Sequence, residues 1–156
     1  MKIALLLLVL IVLWGMAYVR LAPSDPARWH TLLPSGDLSG GWVMLPPGVD
    51  GVGEGDDGAR AGLTLFSETP EEVLGRLDAI ALASPRTRRL AGSPGEGMIT
   101  WITRSALFGF PDYTTAAARA EGPVTVLVLH ARQRFGRKDF GVNAARLRDW
   151  LAQLSS

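Results

Sequence analysis

No cysteine occurs in the chain. Disulfides, acylation of the lipoprotein type and thiolate chemistry are therefore excluded, and cysteine usage fixes no compartment. Charge is sparse: 20% of residues are charged against 47% apolar, the balance of a globular body rather than a disordered one. His30 has no partner at metal-ligand spacing and reads as a surface or packing residue. The stretch DGVGEGDDG has a superficial likeness to a calcium loop, but it lacks the ligand order and the closing glutamate. A P-loop, a dinucleotide-binding fingerprint, a zinc pattern and a haem-attachment motif are all missing, as are tandem repeats and long low-complexity tracts. Neither a metal nor a cofactor is expected.

What is present begins with MKIALLLLVLIVLWGMAYV. The uncharged run Ile3 to Val19 is roughly 17 residues long, which at ~1.5 Å per residue just reaches across a hydrocarbon core. Arg20 can snorkel, and Trp14 and Tyr18 lie towards the far end, where aromatic belts form. An uncleaved anchor over residues 1–22 is the favoured reading. A cleaved signal, with Gly15-Met16-Ala17 as a weak small-x-small site, and a buried helix are the alternatives. Lys2 and the amino terminus on one side and Arg20 and Arg28 on the other hardly settle orientation. N-terminus-inside is the default, which puts the body in the periplasm of a single-pass inner-membrane protein.

The 156 residues suffice for one domain plus extras. Charge is uneven along them: Leu21 to Ser84 holds 3 basic and 10 acidic residues, and Pro85 to the end holds 11 and 5. Either the two parts complement each other within one fold, or a basic face awaits an anionic partner. Nucleic acid is not expected, since the tethered body faces away from it.

Residues 23–62 read as an irregular linker. Pro23, Pro26 and Pro34 break its start, Gly40 to Leu45 allows a short strand, and Pro46 to Gly62 has the composition of a mobile acidic loop. Residues 63–156 read as the globular domain. Leu63 to Phe66 is a strand. Thr69-Pro70-Glu71-Glu72 is a helix start, with Thr69 as cap and Glu72 closing a capping box. Val73, Leu74, Leu77, Ile80 and Ala81 form one apolar face, and Ser84-Pro85 ends the helix. Strands over Thr87 to Ala91, Met98 to Arg104 and Tyr113 to Ala120 follow in meander, and Glu121-Gly122-Pro123 turns into another. The fold class is α+β: an N-terminal transmembrane helix, then a two-layer domain with an antiparallel sheet of about four to six strands covered on one face by two helices.

The unit VTVLVLHARQRFGRKDFGVNAARLRDWLAQL, Val124 to Leu154, carries the candidate site. Val124, Val126 and Val128 share one strand face, and Thr125, Leu127 and Leu129 the other, which Ala131 and Phe135 continue. His130, Arg132 and Arg134 line up on the first face. Buried arginines are too costly to leave unpaired, so that face opens to water or meets carboxylates or an anion. Leu147, Trp150, Leu151 and Leu154 make the core stripe of a final helix, with Asn143 able to cap its first turn.

Arg104-Ser105, Phe110-Pro111-Asp112-Tyr113 and Arg134 through Asn143, followed by Arg146, resemble the bacterial and plastid family known only as domain of unknown function 1499. Its pattern Ser-Arg-x-Gly-x-x-Asp-x-Gly-x-Asn-x-x-Arg is matched by Arg134, Gly136, Asp139, Gly141, Asn143 and Arg146. Gln133 stands where serine is usual, and the cysteine-containing N-terminal motif of many members is missing. LAPSDPARWH is similar to the membrane-anchored alphaproteobacterial version. The likeness spans about Leu63 to Leu154 and implies a fold and a site without implying a chemistry.

Two readings of the motif stand side by side. In one, Gly136 and Gly141 permit turns, and Asp139 and Asn143, with Asp112 nearby, staple the loop to the helix. In the other, the helix N-terminus with Arg104, His130, Arg132, Arg134 and Arg146 forms a pocket for a phosphate, carboxylate or lipid headgroup. Ser105, Asp112 and His130 have the residue types of a hydrolase triad, but no G-x-S-x-G elbow surrounds Ser105, and no catalytic residue is assigned. The expected function is a non-enzymatic, membrane-anchored envelope module binding an anionic small molecule, a lipid headgroup or an envelope protein. A structural accessory subunit of an envelope complex is the alternative.

Overall fold

The computed structural model describes residues 2–31, 51–55, 58–136 and 138–156. Helix α1, Lys2–Leu21, has a mean hydropathy of 2.4 over its apolar stretch, and none of its residues is buried. It is long and apolar enough to cross a membrane. A short helix α2, Pro26–Trp29, follows. Asp25 caps it by accepting from the Ala27 N–H at 2.9 Å, and Pro26 opens it.

The body is a single antiparallel sheet of six strands: β1 (Gly51–Gly55), β2 (Gly58–Phe66), β3 (Thr87–Ser93), β4 (Met98–Arg104), β5 (Pro111–Glu121) and β6 (Val124–Gln133). Their spatial order is β1-β2-β6-β5-β4-β3. Helix α3, Pro70–Ala83, carries the chain from β2 to the far edge at β3, and the meander β3 to β6 walks back until β6 closes against β2. Helix α4, Val142–Leu154, returns over β2, β6 and β1 beside α3. This is the expected α+β arrangement.

α3 begins as its sequence dictates. The Glu72 carboxylate accepts from the Thr69 N–H at 2.8 Å, and Thr69 Oγ1 accepts from the Glu72 N–H at 3.3 Å. These bonds hold the Glu72 carboxyl below its usual range. Val73, Leu74, Leu77 and Ala81 of α3 and Ala144, Leu147, Trp150, Leu151 and Leu154 of α4 bury against the inward residues of the sheet. Each fully buried Leu contributes about 1.5–3 kcal/mol of transfer free energy. Trp101 and Trp150 meet edge to face, centroids 5.6 Å apart.

Two expectations need correction. The stretch read as a mobile loop contains β1 and most of β2. Gly58, Ala59 and Ala61 lie on β2 against β6, and the two alanines are buried in the core that α4 covers. At Gly58 a Cβ would lie 2.0 Å from the Ala131 carbonyl oxygen of β6, so this glycine is a packing requirement rather than a mark of a loop. Phe135 does not continue the core face; its ring lies near Tyr18 of α1 and Phe110. The strand proposed for Gly40 to Leu45, with Pro34, Asp56, Asp57 and Arg137, lies outside the described residues.

The sheet face opposite α3 and α4 carries a second, smaller core of Trp29, Ile102 and Tyr113, with Leu90 packed beside it. Residues 22–31 lie across that face as a strap, and this places the foot of α1 against the body.

Candidate functional site

The strap determines what the arginines of β6 meet. Arg132 Nη2 donates to the Trp29 carbonyl at 2.8 Å and the Thr31 carbonyl at 3.2 Å, and its guanidinium lies 5.4 Å from the Trp29 ring centroid. Arg134 Nη1 donates to the Pro23 carbonyl at 2.8 Å and to Tyr113 Oη at 3.2 Å. The arginine face of β6 therefore meets main-chain carbonyls of the chain's own N-terminal segment, a partner absent from the options of water, carboxylate or ligand. His30 Nδ1 and Thr100 Oγ1 share a hydrogen bond of 2.9 Å, which makes this histidine a packing residue. His130 is buried on the same sheet face. Desolvation, then the charges of Arg132 and Arg60, lower its pKa to about 3, so its imidazole is neutral.

Arg146 goes elsewhere. It sits on α4, across the sheet, donating to Asn143 Oδ1 at 2.6 Å and pairing with Asp112 at 3.2 Å. Burial pushes the Asp112 carboxyl above its usual value, and Arg146 offsets this only in part. Asp139, itself buried, accepts from the Asn143 N–H at 3.0 Å and from Asn143 Nδ2 at 2.7 Å. The cap position belongs to Gly141, at φ 75°, and the first-turn N–H is satisfied by the Asp139 carboxylate rather than by Asn143. Gly136, at φ 112°, turns the chain out of β6. The Asp139, Asn143 and Arg146 side chains thus bond the loop to the start of α4.

Ser105, Asp112 and His130 do not converge. Ser105 Oγ accepts from the Phe110 N–H at 3.0 Å, Asp112 faces α4, and His130 faces the strap side. No Ser–His–Asp relay can form from them.

A cleft of about 350 Å³ lies at the foot of α1, lined by Arg20, Arg86, Thr87, Arg88, Ile102, Arg104, Ser105 and Gly109. Four arginines and no acidic residue line it among the described residues. Arg86 lies in the turn just before β3, Arg88 is the second residue of that strand, and Arg104 ends the neighbouring strand. Arg104 Nη1 donates to the Gly109 carbonyl at 2.8 Å, and Arg86 Nε donates to the Arg104 carbonyl at 3.0 Å. Arg86 adopts φ 60°, a left-handed conformation costing about 1–2 kcal/mol for a side-chain-bearing residue. Gly109 has φ 70°, a conformation glycine adopts without strain, and the Arg20 side chain lies against it, with Nε 2.7 Å from where a Cβ would stand. Of the five arginines and histidines proposed from sequence, Arg104 alone reaches this cleft. Arg20, Arg86 and Arg88 were overlooked, because they come from the end of α1, a turn and the start of β3, and no local spacing joins them.

Fold and cleft define an α+β sheet domain joined to an apolar N-terminal helix, with an arginine-lined cavity at the junction. The chain belongs to the family described as protein of unknown function (DUF1499), whose profile it matches over residues 41–154. No curated protein matches it.

Proposed function

We propose that the protein is a single-pass, membrane-tethered member of its family that binds an anionic group in the cleft of Arg20, Arg86, Arg88 and Arg104. The carrying observation is that four arginines and no acidic residue line one cavity among the described residues. Cations that share a cavity repel one another, and a phosphate or carboxylate relieves that repulsion through charge-assisted hydrogen bonds. The length and apolarity of α1 support the tether; the body is read as periplasmic on the default that a short N-terminus stays inside. Binding here requires no chemistry, and the module is read as non-enzymatic. A second reading, an accessory subunit of an envelope complex, draws on Phe140, whose ring is 88% exposed beside the half-exposed Val142.

Full-length protein in nanodiscs tests the cleft. One arm adds inorganic phosphate to phosphatidylcholine discs and follows ³¹P line broadening. The other compares bound-lipid enrichment in discs containing phosphatidylglycerol. Arg86→Ala with Arg88→Ala should weaken binding by about tenfold in whichever arm shows it. No binding in either arm, or equal binding by the double variant, removes the proposal.

A further inference from the structure

The link between β4 and β5, Ser105-Ala106-Leu107-Phe108-Gly109-Phe110, contains no charged residue. Leu107 is 72% exposed, Phe108 44% and Phe110 36%. Three apolar side chains in water on one short loop are unusual for a solvated surface. The loop is nonetheless ordered by its own bonds: the Ser105 N–H donates to the Phe110 carbonyl at 2.9 Å, and the Gly109 N–H to the Ser105 carbonyl at 3.2 Å. Arg104 and Ser105 Oγ add the bonds already described. It is a preformed knuckle with Leu107 and Phe108 at its exposed tip.

Its position supplies the occupant. Gly109 lies against Arg20, in the last turn of α1. A line of rings runs from α1 to the tip: Trp14 to Tyr18 at 5.9 Å, Tyr18 to Phe135 at 6.5 Å, Phe135 to Phe110 at 6.2 Å and Phe110 to Phe108 at 5.5 Å. Tyr18 lies roughly 4.5 Å along the helix axis before Leu21, within the apolar span. The aromatic belt of the helix thus continues into the loop at interfacial depth. Beside it stand the arginines of the cleft. An apolar tip with a basic collar complements acyl chains below anionic phosphates.

We infer that Leu107 and Phe108 immerse in the leaflet from which α1 emerges, docking the body to the bilayer at a second point. This rests on the membrane-spanning reading of α1 and goes beyond anion binding, because it concerns a different, apolar surface. Two attachment points fix the body's tilt and hold the mouth of the cleft at headgroup level.

The absence of cysteine makes the test direct. Leu107→Cys carries a single nitroxide in the full-length protein, reconstituted in phosphatidylcholine–phosphatidylglycerol discs. Collision with oxygen and with a nickel chelate is read by electron paramagnetic resonance. Val9→Cys in α1 and Leu82→Cys on α3 serve as lipid and water references. The expected result at position 107 is the lipid pattern, oxygen favoured over nickel. A water pattern at 107 with a lipid pattern at 9 overturns the inference and leaves the tether intact. A water pattern at 9 overturns both. Exclusion of both reagents at 107 means that a protein covers the tip, and it overturns lipid docking. Because Leu107 is exposed, the substitution removes no core packing. The Arg86/Arg88 assay reads the cleft separately.

Discussion

The Trp29 indole lies flat on the Tyr113 ring, centroids 3.9 Å apart and planes 8° from parallel. Trp29 sits shortly after α1 and Tyr113 on a central strand, so the stack clamps the foot of α1 to the sheet. Ser24 Oγ and Tyr113 Oη share a hydrogen bond of 2.8 Å, and Arg132 and Arg134 bond the strap's carbonyls on either side. Trp29→Ala should cost about 3 kcal/mol, the usual range for emptying a buried aromatic site. Urea unfolding of the full-length protein in micelles measures this. An unchanged midpoint would show that the strap is not seated.

Asp139 accepts both hydrogen bonds that Asn143 directs towards it. Asp139→Ala should cost about 1–3 kcal/mol, because a first-turn N–H and a buried amide lose their acceptor. Asp139→Asn, which keeps one acceptor oxygen, should cost less. Equal melting temperatures for all three proteins would contradict the staple.

His130 makes stability depend on pH. The unfolded chain takes up a proton near the ordinary value of 6.5, whereas the folded imidazole resists until about 3. Its contribution is therefore present above about pH 6.5 and is lost as pH falls towards 3, by at most about 1.4 kcal/mol per pH unit. Asp112 works the other way. Its raised folded pKa contributes stability below its unfolded value of 3.8 that fades as pH rises through the folded one. His130→Gln should flatten the decline between pH 6.5 and 4.5 in urea titrations. Parallel declines in both proteins would rule out burial of a neutral imidazole as the cause.

Phe140 combines an exposed ring with φ 54°. The ring packs on little, while the left-handed backbone is unfavourable for it. Phe140→Asn should raise stability by about 0.5–1 kcal/mol, since asparagine tolerates this region. A loss of stability in thermal unfolding would mean that the ring has a structural role. An intact fold with a lost partner in crosslinking would favour the accessory-subunit reading.

α3 was legible because its signals are local. Thr69, Pro70 and Glu72 lie within one turn, and the spacing of Val73, Leu74, Leu77 and Ala81 repeats with the helix period. The Asp139–Asn143 staple is four residues long and legible for the same reason, though which of the two groups does the capping was not. Asp78 is different. It lies amid an otherwise apolar helix face, buried, accepting from Trp101 Nε1 at 2.8 Å and pairing with Arg89. Nothing within α3 announces those partners, because they come from β4 and β3.

By itself the sequence determined the long apolar N-terminal helix, the capped α3, the meander and the bonded entry to α4. Each follows from hydrogen bonds and periodicities spanning a few residues. Only the tertiary structure decided the fate of the arginines. Arg132 and Arg134 meet carbonyls about a hundred residues away, Arg146 faces the opposite layer, and Arg20, Arg86, Arg88 and Arg104 converge from three separate segments. A guanidinium takes whichever acceptor the long-range pairing of strands brings within 3 Å or so, and no local pattern encodes that meeting.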